Sequence, residues 1–242
     1  PVPLRRQAAP PVVADRVDLA RRDALVYLAD IHRGPGLAGI PKGETKSLRL
    51  FTYTYGYRGM GGLYGTVGLD GPWDVRRVIG TVPVEGDGSA FFRVPANVPI
   101  AVQPLDSEGK ALQIMRSWFT AMPGEVISCV GCHEIQNETP PPQRTKAARM
   151  QVTEVKNWHG QVRGFAFAQE VQPVLDRRCV GCHNGTTEFR GKPLFSLRGD
   201  KLPTKWTSKM SGKAGNWGGK FTVGYVNLHR YVRHPGIEST MH

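Results

Sequence analysis

Between residues 45 and 119 the pattern of apolar and polar positions reads mainly as strands. Phe51, Tyr53, Tyr55 and Tyr57 alternate with Thr52, Thr54 and Gly56, the pattern of a strand with one face buried. Residues 78–84 predict a second strand. The turn Glu85-Gly86-Asp87-Gly88 then leads into a third at 90–94. Residues 100–105 and 111–119 flank Asp106-Ser107-Glu108-Gly109, which reads as a hairpin loop. The stretch 59–71 is rich in glycine and reads as loop. Short strands separated by such turns predict a β-sandwich-like domain. After residue 165 the period changes. Phe167, Val171, Val174 and Leu175 fall at helical spacing. Pro173 is tolerated in a first helical turn, so a short helix is expected to deliver Cys179. Residues 221–232 predict a further helix carrying His229.

These patterns divide the chain into a Pro- and Ala-rich linker (1–14), a β-rich domain (15–138), a Pro-rich connector (139–165) and a small α-helical domain (166–242). The connector opens with Thr139-Pro140-Pro141-Pro142-Gln143-Arg144, a stiff polyproline-type spacer. The fold class expected is therefore multidomain, with a mainly β, sandwich-like domain followed by a small helical one.

The chemistry enters with a doubled motif. Cys129-Val130-Gly131-Cys132-His133 and Cys179-Val180-Gly181-Cys182-His183 use every one of the 4 cysteines. Cys-x-x-Cys-His is the attachment signature of c-type haem. Two thiols one helical turn apart can add to the two vinyl groups of one porphyrin, and the next residue can offer an imidazole to the iron. One structural zinc or a pair of disulfides are the alternatives. A zinc ribbon places about 15–20 residues between its pairs, whereas residues 133–178 intervene here. Neither alternative accounts for a histidine after both pairs. The cofactors expected are two haem c. Cys129, Cys132, Cys179 and Cys182 are the attachment points, and His133 and His183 the proximal ligands. The β-rich domain carries the first haem. The helical domain reads as cytochrome c-like and carries the second. The flanks of the two motifs differ, so no duplicated domain is read.

The charge needs the cofactor to be understood. The formal net charge is +12, which suggests nucleic acid, a membrane surface or an acidic partner. Two haems would remove about four charges through their propionates, given an ordinary carboxylate pKa. The excess is concentrated after residue 200, in Lys201, Lys205, Lys209, Lys213, Lys220, Arg230 and Arg233, with no acidic residue between them. Much of this is a solvated glycine-rich loop. Its functional reading is propionate pairing or docking of an acidic redox partner. No nucleic-acid motif is present. With 242 residues the chain can bury a real core, and no apolar run is long enough to span a bilayer. Haem c is attached outside the bacterial cytoplasm, so a periplasmic or other extracytoplasmic location is expected. The chain begins at Pro1, and a processed chain or a piece of a longer one is expected.

Several runs resemble a known family. They are Gly80-Thr81-Val82-Pro83-Val84, Gly88-Ser89-Ala90-Phe91-Phe92-Arg93-Val94-Pro95-Ala96, Met115-Arg116-Ser117-Trp118, and Pro123-Gly124-Glu125 before Cys129. Together they resemble the middle domain of the hydrazine synthase alpha subunit, and more closely the related proteins of planctomycete-type bacteria. Residues 15–28 and 34–39 fit the same group. The second motif and Tyr231-Val232-Arg233-His234-Pro235-Gly236 are similar to the start of that family's C-terminal cytochrome c domain. The resemblance covers nearly the whole chain. It implies further chain after His242 and an N-terminal propeller before Pro1. It also implies that the middle-domain haem is the catalytic one, with the motif histidine on zinc and a tyrosine four residues later on the iron. Here Asn137 stands at that position, and an amide is a poor iron ligand beside a phenolate. The specific arrangement does not carry over, and His133 is left available as an ordinary proximal ligand.

The opposite axial positions have several candidates. For the second haem they are His229, His234, His242, Met210 and Met241, or a residue outside this chain. For the first they are His32, His159, Met150, or no protein ligand. Two histidines would make a low-potential carrier, and methionine opposite histidine would raise the potential. Three functional readings follow. The first is a dihaem c-type cytochrome that transfers electrons in the bacterial cell envelope, with a redox partner protein or a larger envelope complex. The second is a haem-dependent redox enzyme on a small nitrogen or oxygen compound, for which no catalytic residue can be named. The third is a haem-bearing structural or interaction subunit.

Overall fold

The computed structural model describes residues 16–53, 76–115, 117–133, 144–200, 206–207, 214–215, 221–229 and 231. Its first part is built from two three-stranded sheets. In the first sheet β1 (Asp23–Leu28) lies between β4 (Ala90–Pro95) and β6 (Val126–Cys129), antiparallel to β4 and parallel to β6. In the second, β2 (Ser47–Tyr53) lies between β3 (Arg76–Pro83) and β5 (Ile100–Leu105), antiparallel to both. Burial alternates strictly along β1, with Ala24, Val26 and Leu28 inward. These residues meet Leu48 and Leu50 of β2, Val82 of β3, Phe92 and Val94 of β4 and Ile100 of β5 in one apolar core. A mainly β, two-sheet architecture is thus observed.

Three differences from the sequence reading have physical causes. In β2 the alternation stops halfway. Phe51, Thr52 and Tyr53 are all buried, because the strand is central and its register against β3 shifts between Leu50 and Phe51. Tyr55 and Tyr57, and the 59–71 stretch, lie outside the described residues. Residues 111–119 are not a strand. They follow the edge of β5 through two isolated bridges, Leu105 with Ala111 and Ile100 with Phe119. Pro104 sits in β5 and offers only its carbonyl, which accepts the Leu112 N–H at 2.9 Å, so a regular ladder is interrupted there. β1 and β6, short strands, were not picked out by the pattern.

Residues 144–156, expected within the connector, bond to the edges of both sheets. Thr153 exchanges backbone hydrogen bonds with Phe91 and Arg93 of β4, and Lys156 with Thr81 of β3. A Cβ at Gly80 would strike the Lys156 carbonyl and the Val155 side chain, so only glycine lets this segment approach β3.

The second part is small. Helices α1 (Phe167–Glu170) and α2 (Gln172–Arg178) are separated at Val171, with Pro173 in the first turn of α2. Leu175 is buried but Val174 is 48% exposed, because the break between the helices interrupts the continuous stripe expected from the spacing. Two short antiparallel pairs follow, β7 (Glu188–Phe189) with β8 (Lys192–Pro193) and β9 (Trp206–Thr207) with β10 (Ala214–Gly215). The last element is α3 (Val223–His229), where residues 221–232 predicted a helix. The Thr222 hydroxyl accepts the Tyr225 N–H at 3.2 Å and starts it. Among the described residues no helix is long and apolar enough to cross a membrane.

Candidate functional site

The two identical motifs take different backbone forms. The first is the continuation of a strand. β6 ends at Cys129 and its parallel pairing with β1 runs on past the strand ends. The Ala29 and Asp30 N–H groups donate to the carbonyls of Cys129 and Val130, Cys132 N–H to Arg33, and Gly36 N–H to Cys132. The two chain segments touch backbone to backbone. A Cβ at Gly36 would lie 2.5 Å from the Cys132 Sγ, one at Gly34 2.7 Å from the Cys132 carbonyl oxygen, and one at Gly131 would strike Arg33. Gly34 has φ of 81° and His133 of 60°, both in the left-handed region.

This turn presents both thiols to a cavity of about 500 Å³ between the sheets, within the range of small-molecule and cofactor sites. Cys129, Cys132 and His133 form one wall with Val26, Leu28 and Ile31. The rest of the lining includes Val102, Pro104 and the irregular segment with Gln113, Ile114, Met115, Ser117 and Phe119. The failure of 111–119 to form a strand is what brings those side chains over the hollow. Its lining is mostly aliphatic and aromatic, as an apolar porphyrin face requires, and its two thiols can be alkylated. The residues present fit a covalently held haem.

The second motif is helical. Cys179 closes α2, and the Cys182 and His183 N–H groups both donate to the Cys179 carbonyl, at 3.1 and 2.8 Å. His183 Nδ1 lies 3.2 Å from the Phe195 carbonyl. A carbonyl can only accept, so Nδ1 carries the proton and Nε2 keeps the lone pair that a metal needs. The Phe195 ring, 4.7 Å from the imidazole, holds its tilt. One strand-like segment organises the neighbourhood. Leu197 N–H donates to the His183 carbonyl, Gly224 N–H of α3 to Arg198, and the Asn227 side chain to Ser196. Cys182 is exposed.

The other expected ligands are scattered. His32 Nε2 accepts the Gly43 N–H at 3.2 Å, and His32 is not in the thiol cavity's lining. His159 packs on Trp158 at 4.5 Å, in a separate hollow of about 230 Å³ beside Val78 and Ile79. Met150 is 50% exposed. His229 ends α3 with its ring 5.9 Å from Tyr225. His234, His242, Met210, Met241 and Asn137 lie outside the described residues. Among the described residues no three His, Cys, Asp or Glu converge as a metal site, so the two Cys-x-x-Cys pairs do not form one cluster. Gly34, Gly36 and Met115 were not read as site residues. The sequence hint for them was weak: each lies in a run that resembles the family, with no chemical signature of its own.

The fold and site define a two-sheet β protein with a dithiol-lined apolar cavity, joined to a small helical segment with a second dithiol-histidine turn. Residues 43–134, from β2 through the first motif, match the family model of the hydrazine synthase alpha subunit middle domain. Among solved structures, a chain of Kuenenia stuttgartiensis hydrazine synthase aligns with TM-score 0.57 and 17% identity over 87% of this chain. That alignment covers 34% of the other chain, so this chain spans about a third of its length. No curated protein matches. The part of the chain from β2 through the first motif is thus similar to the hydrazine synthase alpha subunit middle domain.

Proposed function

We propose that the chain is a dihaem c-type electron-transfer protein of the bacterial cell envelope. The observation that carries this is the cavity between the sheets with Cys129 and Cys132 both on its wall. Its apolar lining suits a porphyrin, excludes water and lowers the reorganisation that accompanies a change of charge. The second site rests on Cys179, Cys182 and a His183 whose Nδ1–H is held by the Phe195 carbonyl. When bound, haem supplies one-electron redox chemistry. The protein's part is to choose axial ligands, solvent access and docking surface. On this reading residues 166–242 form a cytochrome c-like unit, and the positive charge after residue 200 serves pairing with propionates or docking of an acidic partner. Periplasmic location and membership of a larger complex go with it, because haem c is attached outside the cytoplasm.

A second reading is a haem-dependent enzyme on a small nitrogen or oxygen compound. It is favoured by the match of residues 43–134 to the hydrazine synthase alpha subunit middle domain. The test is the pyridine haemochrome content and the carbon monoxide response of the dithionite-reduced protein. Two haems per chain with no Soret shift are expected for the carrier. A shift on one haem would favour the enzyme, and absence of a c-type α-band would remove both readings.

A further inference from the structure

The second motif is tied to its surroundings through residues 195–198, and each carbonyl of that segment has its own partner. The Phe195 carbonyl lies 3.2 Å from His183 Nδ1. The Ser196 carbonyl accepts the Asn227 side-chain amide at 2.8 Å. The Leu197 carbonyl accepts the Gln172 side-chain amide at 2.9 Å, and the Arg198 carbonyl accepts the Gly224 N–H at 3.0 Å. The partners alternate. Phe195 and Leu197 turn to the motif and to α2, the helix that ends before Cys179. Ser196 and Arg198 turn to α3. The segment is thus zipped between two helices, and the Leu197 N–H fastens it to the His183 carbonyl at 2.8 Å.

The anchors are tightly packed. Gln172 is buried, and its Nε2 donates both to Leu197 and to Asp176 Oδ1, the latter at 2.8 Å. A Cβ at Gly199 would come within 2.6 Å of the Gln172 side chain, and one at Gly224 within 2.5 Å of the Leu197 carbonyl. Both helices therefore meet the segment at glycines. A peptide unit is planar and stiff, so fixing the carbonyls of Ser196 and Leu197 restricts where the Phe195 carbonyl can point. A neutral imidazole carries its proton on either nitrogen, and the hydrogen bond it makes decides which.

We infer that Gln172 and Asn227 are positioning residues for the second haem site. Together they hold segment 195–198 so that the Phe195 carbonyl keeps the proton on His183 Nδ1 and leaves Nε2 to ligate. The inference rests on the reading of His183 as a proximal ligand. A hydrogen bond at Nδ1 raises the basicity of the ligating nitrogen, which favours ferric iron. The two amides thus lower the potential of this haem, acting through backbone carbonyls.

The test reads His183 in the full chain, first without haem and then with it. At mildly alkaline pH, nitrogen NMR of the haem-free chain should show His183 as the Nδ1–H tautomer alone. Asn227→Leu and Gln172→Leu each remove one amide and should give a mixture of tautomers. Val226→Ala opens the buried face of α3 but keeps both amides, and should leave the tautomer single. In the haem-loaded chain both amide variants should raise the midpoint potential of one haem, with unchanged pyridine haemochrome content. The two variants lie on different helices, so either carries the test where the other does not fold. A tautomer that stays single in the folded variants, a potential that does not move, a mixture already in the wild type, or an equal change in Val226→Ala would each overturn the inference. A wild-type chain that takes up no covalent haem would fail the reading of His183 as a ligand instead, and the haem-free tautomer measurement separates the two.

Discussion

At the residue scale the glycines and one serine carry more of the site than their chemistry suggests. Gly36 faces Cys132 so closely that any Cβ would displace the sulfur. Gly36→Ala should leave the first haem attached through Cys129 alone, or lower its yield. Mass spectrometry of the haem peptides checks this, and a normal double thioether would contradict it. Ser89 is fully buried. Its hydroxyl donates to Asp87 at 2.6 Å and accepts the Ala147 N–H at 3.0 Å. Ser89→Ala strands a buried donor and should cost about 1–3 kcal/mol in a denaturant titration. The motif cysteines and histidines were legible in the sequence, because the Cys-x-x-Cys-His spacing is local. Gly36 was not, because its role exists only through Cys132, far away in sequence.

At the scale of elements, the edges of the sheets decide the assembly. Gly80→Ala should drive residues 155–156 off β3. Hydrogen exchange at the Thr81 and Lys156 amides should then rise, while β1 amides stay protected. A charged seam ties β1 to β4 and to the same segment: Arg93 bridges Asp23 and Glu154, and Arg21 also pairs with Asp23. Hydrogen bonds from Arg21 and Arg93 hold the Asp23 carboxyl well below the usual carboxylate range. At Asp87 burial acts upward, but hydrogen bonds from the Ser89 side chain and the Lys146 and Ser89 N–H groups outweigh it and lower its pKa. Both folded values lie below the unfolded one. Their stabilisation is therefore present above the unfolded carboxylate pKa of about 3.9 and is lost as pH falls below it. Thermal melts should be flat from neutral pH to mildly acidic pH and fall steeply in stronger acid. Asp23→Asn should flatten part of that fall. The helices near the second motif follow the same logic. The α1–α2 break at Val171 was hinted at by Pro173, whereas the strand-like partner 195–198 was not visible to periodicity.

At the scale of the whole molecule the two motifs sit in different settings, one inside a sandwich and one on a helical turn. Replacing Cys179 and Cys182 by alanine should remove one haem and leave the melting of the β part unchanged. Replacing Cys129 and Cys132 should remove the other and lower that transition, since the cavity would then lack its filling. Equal effects of both pairs would contradict this separation. By itself the sequence determined the doubled Cys-x-x-Cys-His spacing, the mainly β character before residue 120 and the helical entry to Cys179. Each is set by local spacing and periodicity. Only the tertiary structure decided that 144–156 closes the sheet edges and that the segment after Ala111 lines a cavity instead of adding a strand. Those outcomes depend on backbone hydrogen bonds and close approaches between segments distant in sequence, which no local pattern encodes.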